Sequence, residues 1–285
     1  MIECMKKEKI REAELTIYIL SDIHWDFYKK AFSSTPDNYF ETYFLPADTL
    51  VSAGDFANSF GDLCAFLPII APRYRNIVLC LGNHDLTITW DKARFRTSEE
   101  KMVAIKTECA KYPNIHLLDG SCVELDGVKF GGTMGMWDYT FLTQSGLADP
   151  DYDEALHADC QWHECWFDGV HWNYCGNDIK KIRIAENTKL NTILSQKPDV
   201  VLTHFCPLPV QEQIPVQFRH DDFSTYFYYT RKIAKDYTAS GKIWCAGHVH
   251  VASIADGIYV HPNGYPSERP MEFNGMKKED FLLEV

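Results

Sequence analysis

The sequence predicts an α/β fold with its strands laid in parallel. Three observations carry this. Short apolar runs recur along the chain, each closed by glycine or a polar residue. Helical spans separate them. The residues that close successive runs are of one chemical kind, aspartate, histidine and asparagine. Apolar runs bounded this way read as buried strands, and strand–helix–strand alternation favours parallel pairing through right-handed crossovers.

Leu15 to Leu20 is the first predicted strand, and Asp22-Ile23-His24 follows it. Asp22 and His24 alternate with Ile23, so in extended chain they share a face. Trp25 to Tyr43 reads as a polar, aromatic loop carrying Asp26, Tyr28 and Tyr39. The second strand runs from Asp48 to Ala53 and ends in Gly54-Asp55; Phe60 to Ile70 then reads as a helix. The third strand, Ile77 to Leu81, ends in Gly82-Asn83-His84-Asp85. Parallel strands present their carboxyl ends on one side, where open α/β sheets bind ligands. Asp22, His24, Asp55, Asn83, His84 and Asp85 should therefore share one rim.

A charged helix is predicted over Ser98 to Tyr112, and a short strand over Ile115 to Leu118. Cys122 to Phe130 reads as a hairpin turning on Asp126-Gly127, followed by Gly131-Gly132-Thr133, where Gly132 permits close approach of backbone to a ligand. Residues 134–178 hold Trp137, Trp162, Trp166 and Trp172 with little periodicity, and read as an irregular, lid-like insertion over the rim. Within it, Trp137, Asp138 and Tyr139 are candidate substrate contacts. Ile179 to Ser195 is helical. Pro198 to Thr203 is a strand ending in His204, and Lys242 to Ala246 one ending in Gly247-His248-Val249-His250, again with two imidazoles on one face. Ile254 to Val260 is a hairpin on Asp256-Gly257, and Phe281 to Leu283 a last strand. The whole of 1–285 is expected to form one domain.

The 285 residues are 46% hydrophobic and 14% aromatic, enough for a sizeable core and too apolar for a disordered chain. The net charge of −12 repels polyanions, so long nucleic acid is a poor partner. The charged start of the chain is no signal peptide, and no apolar run reaches the ~18 residues of a membrane span. The 10 cysteines fall singly in strands and helices, which suits thiols in a reducing cytoplasm. His157, Cys160, His163, Cys165, His171 and Cys175 match no standard structural zinc spacing. Arg183, Arg219 and His220 are possible phosphate contacts.

Imidazole, carboxylate and one amide at the strand ends suit a pair of borderline cations. An all-oxygen set would suit magnesium or calcium. With these residues assembled, the sequence closely resembles the calcineurin-like metallophosphoesterase superfamily. The matching blocks are Asp22-Ile23-His24, Gly54-Asp55, Gly82-Asn83-His84-Asp85, His204 and Gly247-His248-Val249-His250, in the family's order across most of the chain. The resemblance implies a four-layer αββα sandwich, two mixed sheets flanked by helices. It implies that Asp22, His24 and His250 hold one metal, that Asn83, His204 and His248 hold a second, and that Asp55 bridges them. It further implies His84 as the catalytic histidine with Asp85 orienting it. The cations would be divalent or trivalent: manganese, iron or zinc ahead of nickel or magnesium.

The activity implied is hydrolysis of a phosphomonoester or phosphodiester of a small or medium substrate, by attack of a metal-bridging hydroxide. Two other readings stand beside it. One is a nuclease of the same superfamily, against which the negative charge and the want of a basic, aromatic groove both weigh. The other is a non-enzymatic scaffold on this fold, against which the intact set of blocks weighs. His84 could instead only bind substrate, and Asp85 could cap the next helix. The aromatic lid suits a flat group that can stack.

Overall fold

The computed structural model describes residues 15–32, 35–141, 151, 153–207, 232–268 and 275–285. Its centre is a pair of mixed sheets. The first joins β1 (Thr16–Leu20), β2 (Thr49–Ala53), β3 (Asn76–Cys80) and β4 (Ile115–Leu117) in parallel, with β11 (Leu282–Glu284) antiparallel on the outer edge of β1. The second comprises β5 (Ser121–Leu125), β6 (Val128–Thr133), β7 (Val200–Thr203), β8 (Ile243–Ala246), β9 (Ser253–Ala255) and β10 (Ile258–Val260), in the order β5-β6-β7-β8-β10-β9. Its inner pairings are parallel, and β5 and β9 close the edges antiparallel.

The sheets pack face to face, with β2 against β7 and β8, β3 against β6 and β7, and β1 against β10. Helices cover the outsides: α4 (Ser98–Cys109) lies on β4, the helix Ile179–Ser195 on β5 and β6, and the helix Ile233–Thr238 on β8 and β10. This is the predicted four-layer arrangement. Strands covered on both faces need continuous apolar sequence rather than alternation. β2 and β7 are accordingly buried along their whole length.

Caps fix where the helices begin. The Ser59 hydroxyl accepts from Asp62 N ahead of α3 (Phe60–Ile70), Thr97 from Glu100 N ahead of α4, and Asp178 from Lys180 N and Lys181 N. Each leaves fewer backbone N–H groups without a partner in the first turn.

Three expectations are corrected. The predicted loop 25–43 is two helices, α1 (Trp25–Phe32) and α2 (Pro36–Tyr43). Its aromatics sit at helical spacing, and Trp25, Tyr28, Tyr39 and Phe40 are buried in the core. Two further helices, α5 (Glu154–Glu164) and α6 (Phe167–His171), stand in the insertion predicted to be irregular; residues 142–150 and 152 of it lie outside the described residues. Gly132 faces Leu118, and a Cβ there would press on that side chain, so its smallness serves packing rather than ligand approach. Among the described residues no helix is long and apolar enough to cross a membrane, and no cysteine is in a disulfide.

Candidate active site

The strand ends meet where the two sheets converge. Asp22 and His24 follow β1, Asp55 follows β2, Asn83 to Asp85 follow β3, His204 follows β7, and His248 and His250 follow β8. All but His84 and His248 are buried, and those two are partly buried. The backbone is strained here in a consistent way. Asp22, His24, Asp55, His248 and His250 all take positive φ, between 47° and 70°. Such residues cost roughly 1–3 kcal/mol each and persist only where their surroundings hold them. The holding bonds are visible: Asp22 N donates to Gly54 O at 2.9 Å, His24 N to Asp55 O at 3.0 Å, and Gly247 N to His204 O at 2.9 Å. A Cβ on Gly82 would overlap the Asp55 carboxylate, so this position requires glycine.

The donors form two clusters that share Asp55. In the first, one ligand atom each from Asp22, His24, Asp55 and His250 all lie within 4.8 Å of one another. His250 Nε2 is 3.3 Å from Asp22 Oδ1 and 3.2 Å from His24 Nε2. In the second, Asn83 Oδ1 is 2.8 Å from His204 Nε2 and 3.3 Å from His248 Nδ1. Asp55 Oδ2 reaches into both, 3.8 Å from His24 Nε2 and 3.3 Å from His204 Nε2.

The outer atoms of these side chains are committed, which aims the inner ones. His204 Nδ1 donates to Ala53 O at 2.8 Å, leaving Nε2 for the centre. Glu268 binds His250 Nδ1 at 2.8 Å and does the same there. Asp168 on α6 accepts from Asn83 Nδ2 at 2.8 Å, which turns the amide oxygen inward, and Trp172 Nε1 donates to Asn83 O. Imidazoles fixed by an outer carbonyl or carboxylate, facing shared carboxylate and amide oxygens, are the usual dress of a metal site. This donor set fits a pair of cations.

The electrostatics agree. Burial pulls His204 and His250 down, yet their carboxylate neighbours more than offset it, lifting them to about 9 and about 10; Asp55 acts on the first, Asp22 and Glu268 on the second. Burial, with the charges of His84 and His250, holds His24 low, and burial with the charge of His204 pushes His248 down to about 3. Burial would raise Asp55, but His204 and His84 drive it well below the ordinary carboxylate range. The pocket thus sets buried carboxylates against imidazoles, and each charge is shifted by its neighbours as well as by burial.

His84 stands at the edge of this pocket, and one expectation about it is corrected. Asp85 does not touch its ring. The Asp85 carboxylate accepts from Gly82 N, Asp55 N, Phe56 N and Ala57 N, at 2.9 to 3.2 Å, and so ties the β2 and β3 loops together. The partner of His84 Nδ1 is Asn58 Oδ1 at 2.8 Å, and Asn58 Nδ2 in turn donates to Asp26 at 2.7 Å. Three backbone N–H groups of the β2 loop and one of its own turn converge on this carboxylate, which leaves it turned away from the neighbouring ring. Nothing in the sequence singled out Asn58, Asp168, Glu268 or Tyr265; only Asp55-Phe56-Ala57-Asn58, one turn past a strand end, could have hinted at the first.

Other candidates fall away. Trp137 is buried against Trp162 and Phe205, Asp138 accepts from Thr140, and Arg183 lies over the Tyr139 ring at 4.5 Å. Among the described residues, His157, Cys160, His163, Cys165, His171 and Cys175 do not converge on a metal position. Arg219 and His220 lie outside the described residues.

Comparison with known proteins follows the same lines. The family model for calcineurin-like phosphoesterases matches residues 15–252. An uncharacterized protein, L509, of Acanthamoeba polyphaga mimivirus is 26% identical over 239 residues, 77% of this chain and 79% of that protein. The solved structure of phosphopantetheinyl hydrolase from Mycobacterium tuberculosis superposes with a TM-score of 0.65 at 16% identity, over 96% of each chain, a likeness of fold. The sequence match and the converging strand ends lead to one statement: this chain belongs to the calcineurin-like phosphoesterase family.

Proposed function

We propose that the chain hydrolyses a small or medium organic phosphate ester, with one cation held by Asp22, His24, Asp55 and His250, a second by Asp55, Asn83, His204 and His248, and His84 as the proton donor. The observation that carries this reading is the shared Asp55 Oδ2, which faces both clusters at once. Cations bound there, manganese, iron or zinc by the donor chemistry, would neutralise the phosphoryl charge and activate the attacking water.

The chain's own residues supply the rest. Asn58 holds His84 Nδ1 and leaves Nε2 facing the open pocket. When protonated, Nε2 can give its proton to the leaving oxygen. The tautomer left behind, with hydrogen on Nδ1, is the one that Asn58 accepts. Tyr265 Oη, 3.4 Å from Nε2, is held above its ordinary pKa by burial, so it stays a hydroxyl beside that proton. Asp85 acts through the loop geometry only. The described site is lined by no lysine or arginine, and the chain carries −12 overall, which supports a small substrate over a nucleic acid strand.

The test is His84→Ala, assayed for bound metal and for turnover of nitrophenyl phosphate esters with manganese, zinc, nickel and magnesium added in turn. Turnover should fall by about 10²–10⁴-fold with metal retained. Full turnover in the variant would remove His84 from the chemistry, and no turnover by the wild type with any metal would favour the scaffold reading.

A further inference from the structure

An aromatic pocket opens directly beside His84. It has a volume of about 390 Å³, a polar floor of Asn58, Asn83, His84, Asp168 and His248, and walls of aromatic rings. One wall is Phe27 against Tyr265, with ring centres 4.8 Å apart; Tyr265 itself stacks on His24 at 4.4 Å. The facing wall is Phe167, stacked on His84 at 4.8 Å, with Trp90 beyond it at 6.2 Å. Two of these rings are exposed to a degree unusual for their size, Phe27 at 49% and Trp90 at 52%, and both stand at this one mouth. They come from separate segments, α1 and the turn that follows β3. Large apolar side chains left in water on both rims of one cleft mark a surface that a ligand covers.

We propose that this pocket receives a flat, uncharged ring carried by the leaving group of the phosphate ester, seated between Phe27–Tyr265 and Trp90–Phe167. The side is fixed by His84: the group that protonates the leaving oxygen is also the floor of the pocket, so the leaving alcohol lies there. The class is fixed by what the walls offer. Aromatic faces favour an offset-stacked or edge-on ring. Among the described lining residues there is no lysine or arginine, and Asp168 adds a carboxyl, so a polyphosphate tail would find no partner. Asn58, Asn83 and Asp168 could meet polar atoms on the ring edge, which a heteroaromatic ring can supply and a plain alkyl chain cannot. The assignment of the leaving side rests on the role proposed above for His84; the ring preference itself does not.

The test measures binding apart from turnover. Manganese-loaded protein is titrated calorimetrically with naphthylmethylphosphonate, methylphosphonate and methylenediphosphonate. The naphthyl compound should bind about tenfold more tightly than methylphosphonate, as two ring contacts imply, and the diphosphonate should gain nothing that pocket contacts would explain. In Trp90→Ala and Phe27→Ala the naphthyl-to-methyl affinity ratio should fall roughly threefold to tenfold. Equal affinities of the naphthyl and methyl compounds in the wild type would overturn the proposal, as would a ratio that survives in both variants. Binding as expected without hydrolysis of any phosphate ester would leave the ring pocket standing and sink the phosphoesterase reading instead.

Discussion

The floor of the site and its aromatic wall are built in opposite ways. Every donor on the floor sits within a few residues of a strand end, and its backbone is bonded to the neighbouring loop, as Asp22 N is to Gly54 O and His24 N to Asp55 O. The wall is assembled from side chains of α1, the turn after β3, α6 and the segment around Tyr265, which the fold brings together without a shared ladder. The floor is therefore rigid and over-determined, which lets it hold positive-φ residues. The wall is held mostly by ring packing, with Glu268 on Tyr265 N its tie to the floor, and presents Phe27 and Trp90 to water. Metal chemistry needs the first kind of construction; substrate choice can drift on the second.

The sharpest way to break this contrast is Asp85→Ala. If Asp85 is part of the floor's frame, its loss strands four buried backbone N–H groups, each of which costs on the order of 1–3 kcal/mol without a partner. Chemical denaturation should show a loss of about 3 kcal/mol or more, while Trp90→Ala on the wall should shift the midpoint little. A stable Asp85→Ala with damaged turnover alone would return Asp85 to a direct role in the reaction.

A second, smaller effect separates the donors from what aims them. Glu268 touches no reacting atom, yet it binds His250 Nδ1 and also accepts from Tyr265 N at 2.9 Å, so one carboxylate serves both floor and wall. In the metal-free fold His250 and His204 hold their protons up to about 10 and about 9, against burial and by virtue of Asp22, Glu268 and Asp55. A cation must displace those protons. Metal affinity should therefore climb as pH rises from 7 through 9 and flatten only above about 10, once both imidazoles are neutral. Glu268→Gln removes part of the charge that holds the His250 proton, so the climb should level off at lower pH. Above pH 10, where proton competition has gone, the variant should still bind about 10–100-fold more weakly, since the ring has lost the carboxylate that raises its basicity. An unchanged pH profile would show that His250 is not a ligand.

The same contrast explains what could be read in the sequence. β1, β2, β3, β7 and β8 were legible because each is an apolar run stopped by a polar residue, and the stopping residues are the floor. The helix Ile179–Ser195 was legible through its spacing. α1 and α2 were hidden because a dense run of aromatics reads as polar loop unless its spacing is counted; Tyr39 and Phe40, buried on α2, are the evidence. The wall was hidden for a deeper reason. Trp137, Trp162 and Trp172, which the insertion advertises, are buried in the core, whereas Phe27 and Tyr265 carry no local pattern at all. The orienting role that the resemblance implies for Asp85 is not met, because the turn after β3 sends its carboxylate back toward the β2 loop.

The smallest expected effect is also the one that tests the hinge between floor and wall. Asn58 is where they meet: its amide oxygen binds His84 Nδ1, its Nδ2 binds Asp26, and its carbonyl accepts from the buried Lys101 Nζ at 2.7 Å. The backbone contact to Lys101 survives substitution, so Asn58→Ala should leave the fold near its wild-type stability while freeing the His84 ring. The consequence depends on the leaving group. A nitrophenolate leaves without help, so its ester should lose only a few-fold in kcat. An alkoxide needs the proton that a well-aimed His84 supplies, a contribution of about 10²–10⁴-fold in general acid catalysis, and an alkyl ester should lose about tenfold when the ring is only loosely aimed. Asn58→Asp combined with Asp26→Asn keeps an oxygen for Nδ1 and an N–H···O bond between the two side chains, and should restore most of the alkyl rate. A merely structural lesion would slow both esters equally and would not be rescued, so equal losses would return Asn58 to the scaffold and leave His84 positioned by the wall, through its stack on Phe167.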